Sequence, residues 1–141
     1  MTNLLEPLLA YTPYLALAIR VPFGVSLMIH GYPKTKNQGL AGARGFTEKM
    51  MRVPPATANI AAILEFVGGL FLILGFIVPV AALFYVVFFG SISIVKKTRM
   101  GGVYTGQGRP TYEIDIMYLL IAVVLLVLGA GAFSVDSLLG L

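Results

Sequence analysis

The chain has no cysteine, no tryptophan and one histidine, and only 11% of its 141 residues are charged. Without cysteine it can form no disulfide, perform no thiol catalysis and ligate no iron–sulfur cluster or thiolate zinc. A lone His30 excludes a bis-histidine haem or a multi-histidine metal site built by this chain alone. A soluble domain is about a quarter charged. Scarcity of charge, with 58% hydrophobic residues and a mean hydropathy of +0.91, instead describes a membrane protein. Its length leaves room for one membrane domain and no separate soluble core.

Four apolar segments are present, at about 8–30, 56–78, 80–95 and 114–133. Pro13 and Pro22 fall inside the first, and the stretch after Pro13 only reaches the lower end of the roughly 17 to 25 residues a spanning helix needs, so a kinked helix is expected. Pro79 parts the second segment from the third by a tight turn. The expected fold is an all-α integral membrane four-helix bundle, with loops 31–55 and 96–113 on one side.

Those two loops hold the basic residues: Lys34, Lys36, Arg44, Lys49 and Arg52 in one, Lys96, Lys97, Arg99 and Arg109 in the other. Cytoplasmic loops carry the excess of Lys and Arg, so this side is expected to be cytoplasmic and both termini non-cytoplasmic. Topology thus accounts for nine of the 10 basic residues, and the net charge of +4 gives no reason to expect nucleic-acid binding. No basic n-region precedes the first segment, where Glu6 is the only ionisable side chain before Arg20, so the segment is expected to remain as an anchor rather than be cleaved. The glycine-rich stretch 101–108 lacks the Gly-Lys-Ser/Thr ending of a phosphate loop and reads as a hairpin.

Two charges interrupt the apolar runs, Arg20 in the first and Glu65 in the second. Neither can face lipid cheaply, so each is expected to be buried and paired. Counting from His30 as one helix end and Ala56 as the other, Arg20 lies about 15 Å and Glu65 about 14 Å deep, which predicts an Arg20–Glu65 ion pair. Arg20, Gly24, Leu27 and Gly31 share one helix face, and Ala61, Glu65, Gly68, Gly69, Leu72 and Gly75 another; small residues let membrane helices approach closely. Two readings of the pair stay open: a structural clasp that fixes helix register, or part of a ligand site.

A second polar group opens the fourth segment. Glu113 and Asp115 suit the positive end of a helix dipole, and their i, i+2 spacing lets only one point into the bundle, with Glu113 the candidate. His30 could relay protons at the interface, though a solvated histidine is the simpler use. Phe84, Tyr85, Phe88 and Phe89 could line a pocket for a planar lipid-soluble ring or simply face lipid.

The ordered motifs resemble the DoxX/DoxD-like family. They are Arg20 followed by His30-Gly31 and Lys34; Glu65-Phe66-Val67-Gly68-Gly69, continuing to Leu74-Gly75; Tyr112-Glu113; and Gly129-Ala130-Gly131-Ala132-Phe133-Ser134-Val135-Asp136. The resemblance implies a small four-helix protein of a prokaryotic cell membrane, working beside redox enzymes, as the membrane subunit of a thiosulfate:quinone oxidoreductase does. It implies a quinone as cofactor and further protein subunits as partners. Departures from the pattern are a loop before Tyr112 without histidine and no appended DoxA-like domain.

The expectation carried forward is a membrane subunit of a quinone-linked electron-transfer complex. Arg20, Glu65, Glu113, His30 and Asp115 are the candidate polar site. The alternatives are a non-catalytic assembly scaffold and a small transport or sorting factor.

Overall fold

The computed structural model describes residues 2–141, and helices dominate them. A short α1 (Thr2–Leu9) precedes α2 (Thr12–Lys34), and the break between them replaces the kinked single helix expected from Pro13. Proline is tolerated in a first turn, where its missing N–H has no intrahelical role, so Pro13 starts α2 instead of bending it. Beyond the expected end at His30, α2 continues through Pro33 to Lys34.

The connection expected as loop 31–55 is largely helical: α3 (Asn37–Phe46) runs directly into a π-helical turn, Thr47–Met51. Three glycines in its ten residues hid α3 from hydropathy and propensity alike. Next come α4 (Ala56–Leu74), α5 (Val78–Arg99), α6 (Glu113–Leu128) and a short α7 (Val135–Leu139). Compared with the segments in the sequence, α4 stops four residues early, α5 runs four residues further, and α6 ends before Gly129.

Each stop has a local cause. Gly75 takes a left-handed conformation (φ 72°), and its N–H and that of Phe76 return to Leu72 O and Phe71 O, which ends α4 in a Schellman-type turn. Ile77 is also left-handed (φ 45°), a costly state for a β-branched residue. It is held there by Asp136, whose carboxylate accepts from Ile77 N at 2.6 Å and Val78 N at 3.0 Å and so caps α5. The Gly101–Pro110 stretch folds back on itself, with Val103 N donating to Pro110 O at 3.0 Å.

The bundle consists of two close antiparallel pairs, α2 with α4 and α5 with α6. Glycine sets the first. A Cβ on Gly24 would lie 2.5 Å from Gly69 O, and one on Gly69 would lie 2.7 Å from Gly24 O, so the backbones meet where neither residue has a side chain. The predicted α2 face of Arg20, Gly24, Leu27 and Gly31 is buried throughout. Between the pairs sits a core of Phe23, Leu27, Leu72, Tyr85, Phe89 and Leu125.

Large apolar side chains cover the outside: Ile63, Val80, Leu83, Val87, Leu120 and Val127 are all exposed. An apolar exterior around an equally apolar core suits lipid and not water. Among the described residues, α2, α4 and α5 are each long and apolar enough to cross a membrane. The 16-residue α6 is shorter, about 24 Å, and packs along α5 as the fourth helix. This is an all-α membrane bundle. The α4–α5 turn, α7 and the start of α2 share one end; α3 and the glycine-rich connection share the other.

Candidate functional site

Arg20 and Glu65 do not meet. Along the α2–α4 seam, Gly31 lies against Glu65 and Phe66, Gly24 against Gly69 and Ile73, and the Arg20 guanidinium against Gly75. Ten residues of α4 therefore separate the two charges, about 15 Å of helix. The depth estimate failed because Ala56 is not level with His30: α4 extends past the end of α2 to meet α3.

Arg20 is 1% exposed, and its partners are backbone atoms. Its two terminal nitrogens donate to the carbonyls of Ala130 and Phe133, in the segment that links α6 to α7. Its Nε is buried without a partner among the described residues. Gly75 makes room for the group, since a Cβ there would fall 2.8 Å from Arg20 Cζ. The same segment is held a second time by Asp136, whose N–H reaches Gly75 O at 2.9 Å while its carboxylate caps α5. One end of the bundle is thus closed by a clasp of α2, the α4–α5 turn and the chain's C-terminal turn.

The other end is open inside. A cavity of about 510 Å³ lies between α4 and α5, roofed by α3 and the π turn, a volume within the range of small-molecule sites. Its walls are mainly apolar, with Phe46, Phe84, Phe88 and Phe89 among them. Glu65, 1% exposed, faces Lys34 Nζ at 2.8 and 3.1 Å. Gly31 makes this pair possible by bringing α2 onto Glu65, and Lys34 stands one turn further along the same helix. Behind it, Tyr85 Oη donates to the carbonyls of Leu64 and Glu65, each at 3.1 Å, in a space that a Cβ on Gly68 would fill.

The second helix pair supplies a second ion pair to the same cavity. Lys96 Nζ, on α5, contacts Asp115 Oδ2 at 2.5 Å and Thr111 O at 3.2 Å. Asp115 is buried and Glu113 is only half-buried, so the first turn of α6 points inward with the opposite acid from the one expected. Phe88 and Phe89 beside it belong to a wider aromatic cluster that reaches Tyr118.

Of the five candidate residues, Glu65 and Asp115 share the cavity, and Arg20 belongs to the opposite end. His30 is exposed, edge-on to the Tyr118 ring at 6.0 Å, and neither it nor Glu113 lines the cavity. In the sequence Lys96 signals topology alone, whereas Lys34 also belongs to the ordered family motif, and neither is a candidate site residue there. The available signal was Lys34 lying one turn after His30-Gly31, on the face that carries Arg20 and Gly24.

Fold and site together define a helical membrane protein with an ionic, aromatic-walled cavity at one end and a buried arginine clasp at the other. The DoxX family model matches residues 15–96, from α2 through most of α5, and the chain belongs to the DoxX family. The match takes in Arg20, Lys34, Glu65 and Lys96; α6 with Asp115, and α7, follow it. No curated protein and no solved structure matches the chain.

Proposed function

We propose that the protein is the membrane subunit of a quinone-linked oxidoreductase complex in a prokaryotic cell membrane, and that its α3-end cavity binds the quinone head. The observation that carries this reading is the cavity: flat phenylalanine walls beside an ammonium donor and a buried carboxylate that contact each other. These groups fit a ring that needs apolar faces, a donor at its carbonyl oxygen and an acceptor at its hydroxyl form. A bound quinone would supply two-electron, two-proton redox chemistry. The electrons belong to a partner subunit, because this chain, without cysteine and with one histidine, has no evident redox centre of its own.

Lys34 donates to a carbonyl oxygen, and Glu65 takes or returns a proton at the same position. Arg20 has no part in this, since its terminal N–H groups serve Ala130 and Phe133 at the opposite end. Lys34 is the route outward, its side chain being 40% exposed while Glu65 is 1% exposed. Lys36, Arg44, Lys49 and Arg52 between α2 and α4, with Lys96, Lys97 and Arg99 at the end of α5, favour placing this end at the cytoplasm.

Purified protein tests the reading by organic extraction of bound quinone and by titration with a quinone analogue. Extraction is expected to yield quinone, and Glu65→Gln to weaken analogue binding roughly tenfold or more. No quinone, together with no analogue binding that Glu65→Gln alters, would end it. The scaffold reading keeps one observation in its favour: the Arg20 clasp holds structure without a ligand. It predicts complex yield, not quinone binding, as the property that responds to substitution of Glu65.

A further inference from the structure

Four charged residues line the cavity, Lys34, Glu65, Lys96 and Asp115, and they cancel in two ion pairs. The cavity is also accessible to lipid: Ile60 and Leu64 line it and are 59% and 43% exposed on the apolar outer surface of α4. Two lysines in such a place, unaccompanied, would gather anionic amphiphiles, because a cation in an apolar setting is costly until an anion joins it.

The carboxylates remove that attraction. An incoming fatty carboxylate would have to displace Glu65 from Lys34 at 2.8 Å or Asp115 from Lys96 at 2.5 Å, and would meet like charge in doing so. A neutral acceptor meets no such obstacle. An ammonium group has three N–H donors. Lys34 directs two at Glu65, and Lys96 directs one at Asp115 and one at Thr111 O, which leaves each lysine one N–H for an uncharged oxygen.

We infer that Glu65 and Asp115 are specificity-determining residues: they keep the cavity electrically neutral, exclude anionic amphiphiles and reserve it for uncharged heads that carry acceptor oxygens. The inference rests on the reading of this cavity as a ligand site. It turns on the cavity's charges, so it can fail separately from the identity of the occupant.

The test uses the full chain in nanodiscs of zwitterionic phosphatidylcholine, with radiolabelled oleate and the neutral decylubiquinone as probes. The unsubstituted protein is expected to retain decylubiquinone and to hold oleate at background. Glu65→Gln frees Lys34, and oleate should then bind roughly tenfold more tightly or better than to the unsubstituted protein. Asp115→Asn should gain oleate through Lys96 in the same way, and it serves if Glu65→Gln does not fold. Adding Lys34→Met to Glu65→Gln should abolish the gain, which a general loosening of the bundle would not do.

Equal oleate binding by the unsubstituted protein and the Gln variant would overturn the inference, as would a gain that survives Lys34→Met. Oleate gained by Glu65→Gln while decylubiquinone binds neither form would support the charge filter and refute the quinone. Decylubiquinone bound together with oleate by the unsubstituted protein would leave the quinone and refute the filter.

Discussion

The two ends of the bundle treat a buried charge in opposite ways. At one end Arg20 is enclosed by backbone: two carbonyls take its terminal nitrogens, Gly75 clears space for it, and Asp136 ties down the segment that provides the carbonyls. At the other end Glu65 and Asp115 meet flexible lysine side chains on the wall of a cavity. Backbone partners cannot be exchanged for a ligand without unfolding the turn that carries them. Lysine partners can move. An intramembrane charge can serve a ligand only where its neighbours leave room and can be rearranged, and by that criterion only the cavity end qualifies as the proposed site.

Substitutions should separate the ends. The largest stability loss is expected from Arg20→Met, which strips the donors from the buried Ala130 carbonyl and the part-buried Phe133 carbonyl and costs about 3 kcal/mol or more, read as thermal unfolding in detergent. Arg20→Lys should lose less, because one ammonium can reach one carbonyl but cannot fork to both. Next comes Gly69→Ala, whose Cβ would press to 2.7 Å on Gly24 O and force α2 from α4, at about 1 to 3 kcal/mol.

Asp136→Ala should follow at about 1 to 2 kcal/mol, by uncapping α5 and releasing the left-handed Ile77. Ile77→Gly in the intact chain tests that cause, since relief of strain should offset part of glycine's entropic cost and leave stability nearly unchanged. The smallest effect belongs to Gly90→Ala in the middle of α5, where the new Cβ finds nothing nearer than Leu119 at 4.0 Å and helix propensity should add about 0.5 kcal/mol. A Gly90→Ala loss as large as that of Gly69→Ala would break the contrast between the glycine-set α2–α4 seam and an α5–α6 pair with side-chain room at Gly90.

The bundle was legible in the sequence because hydropathy and the placement of basic residues are properties of whole segments. The glycine faces of α2 and α4 were legible too, since i, i+4 spacing is a local fact. The register between those helices was not. It depends on where α4 starts relative to α2, and neither hydropathy nor propensity marks the connection between them as α3 and a π turn. That one unknown placed Arg20 opposite Glu65 when Gly75 is its neighbour. Nor could spacing decide which of Glu113 and Asp115 turns inward, because that choice is made by Lys96 on another helix. Asp136 was visible only as part of a family motif; its work as the cap of α5 spans 58 residues of sequence.

The division of labour between the ends is tested most directly by quinone-analogue affinity, measured for Glu65→Gln and Arg20→Lys at matched folded fraction. The account predicts weakened binding for Glu65→Gln and unchanged binding for Arg20→Lys. Loss of binding in Arg20→Lys with Glu65→Gln unaffected would contradict it.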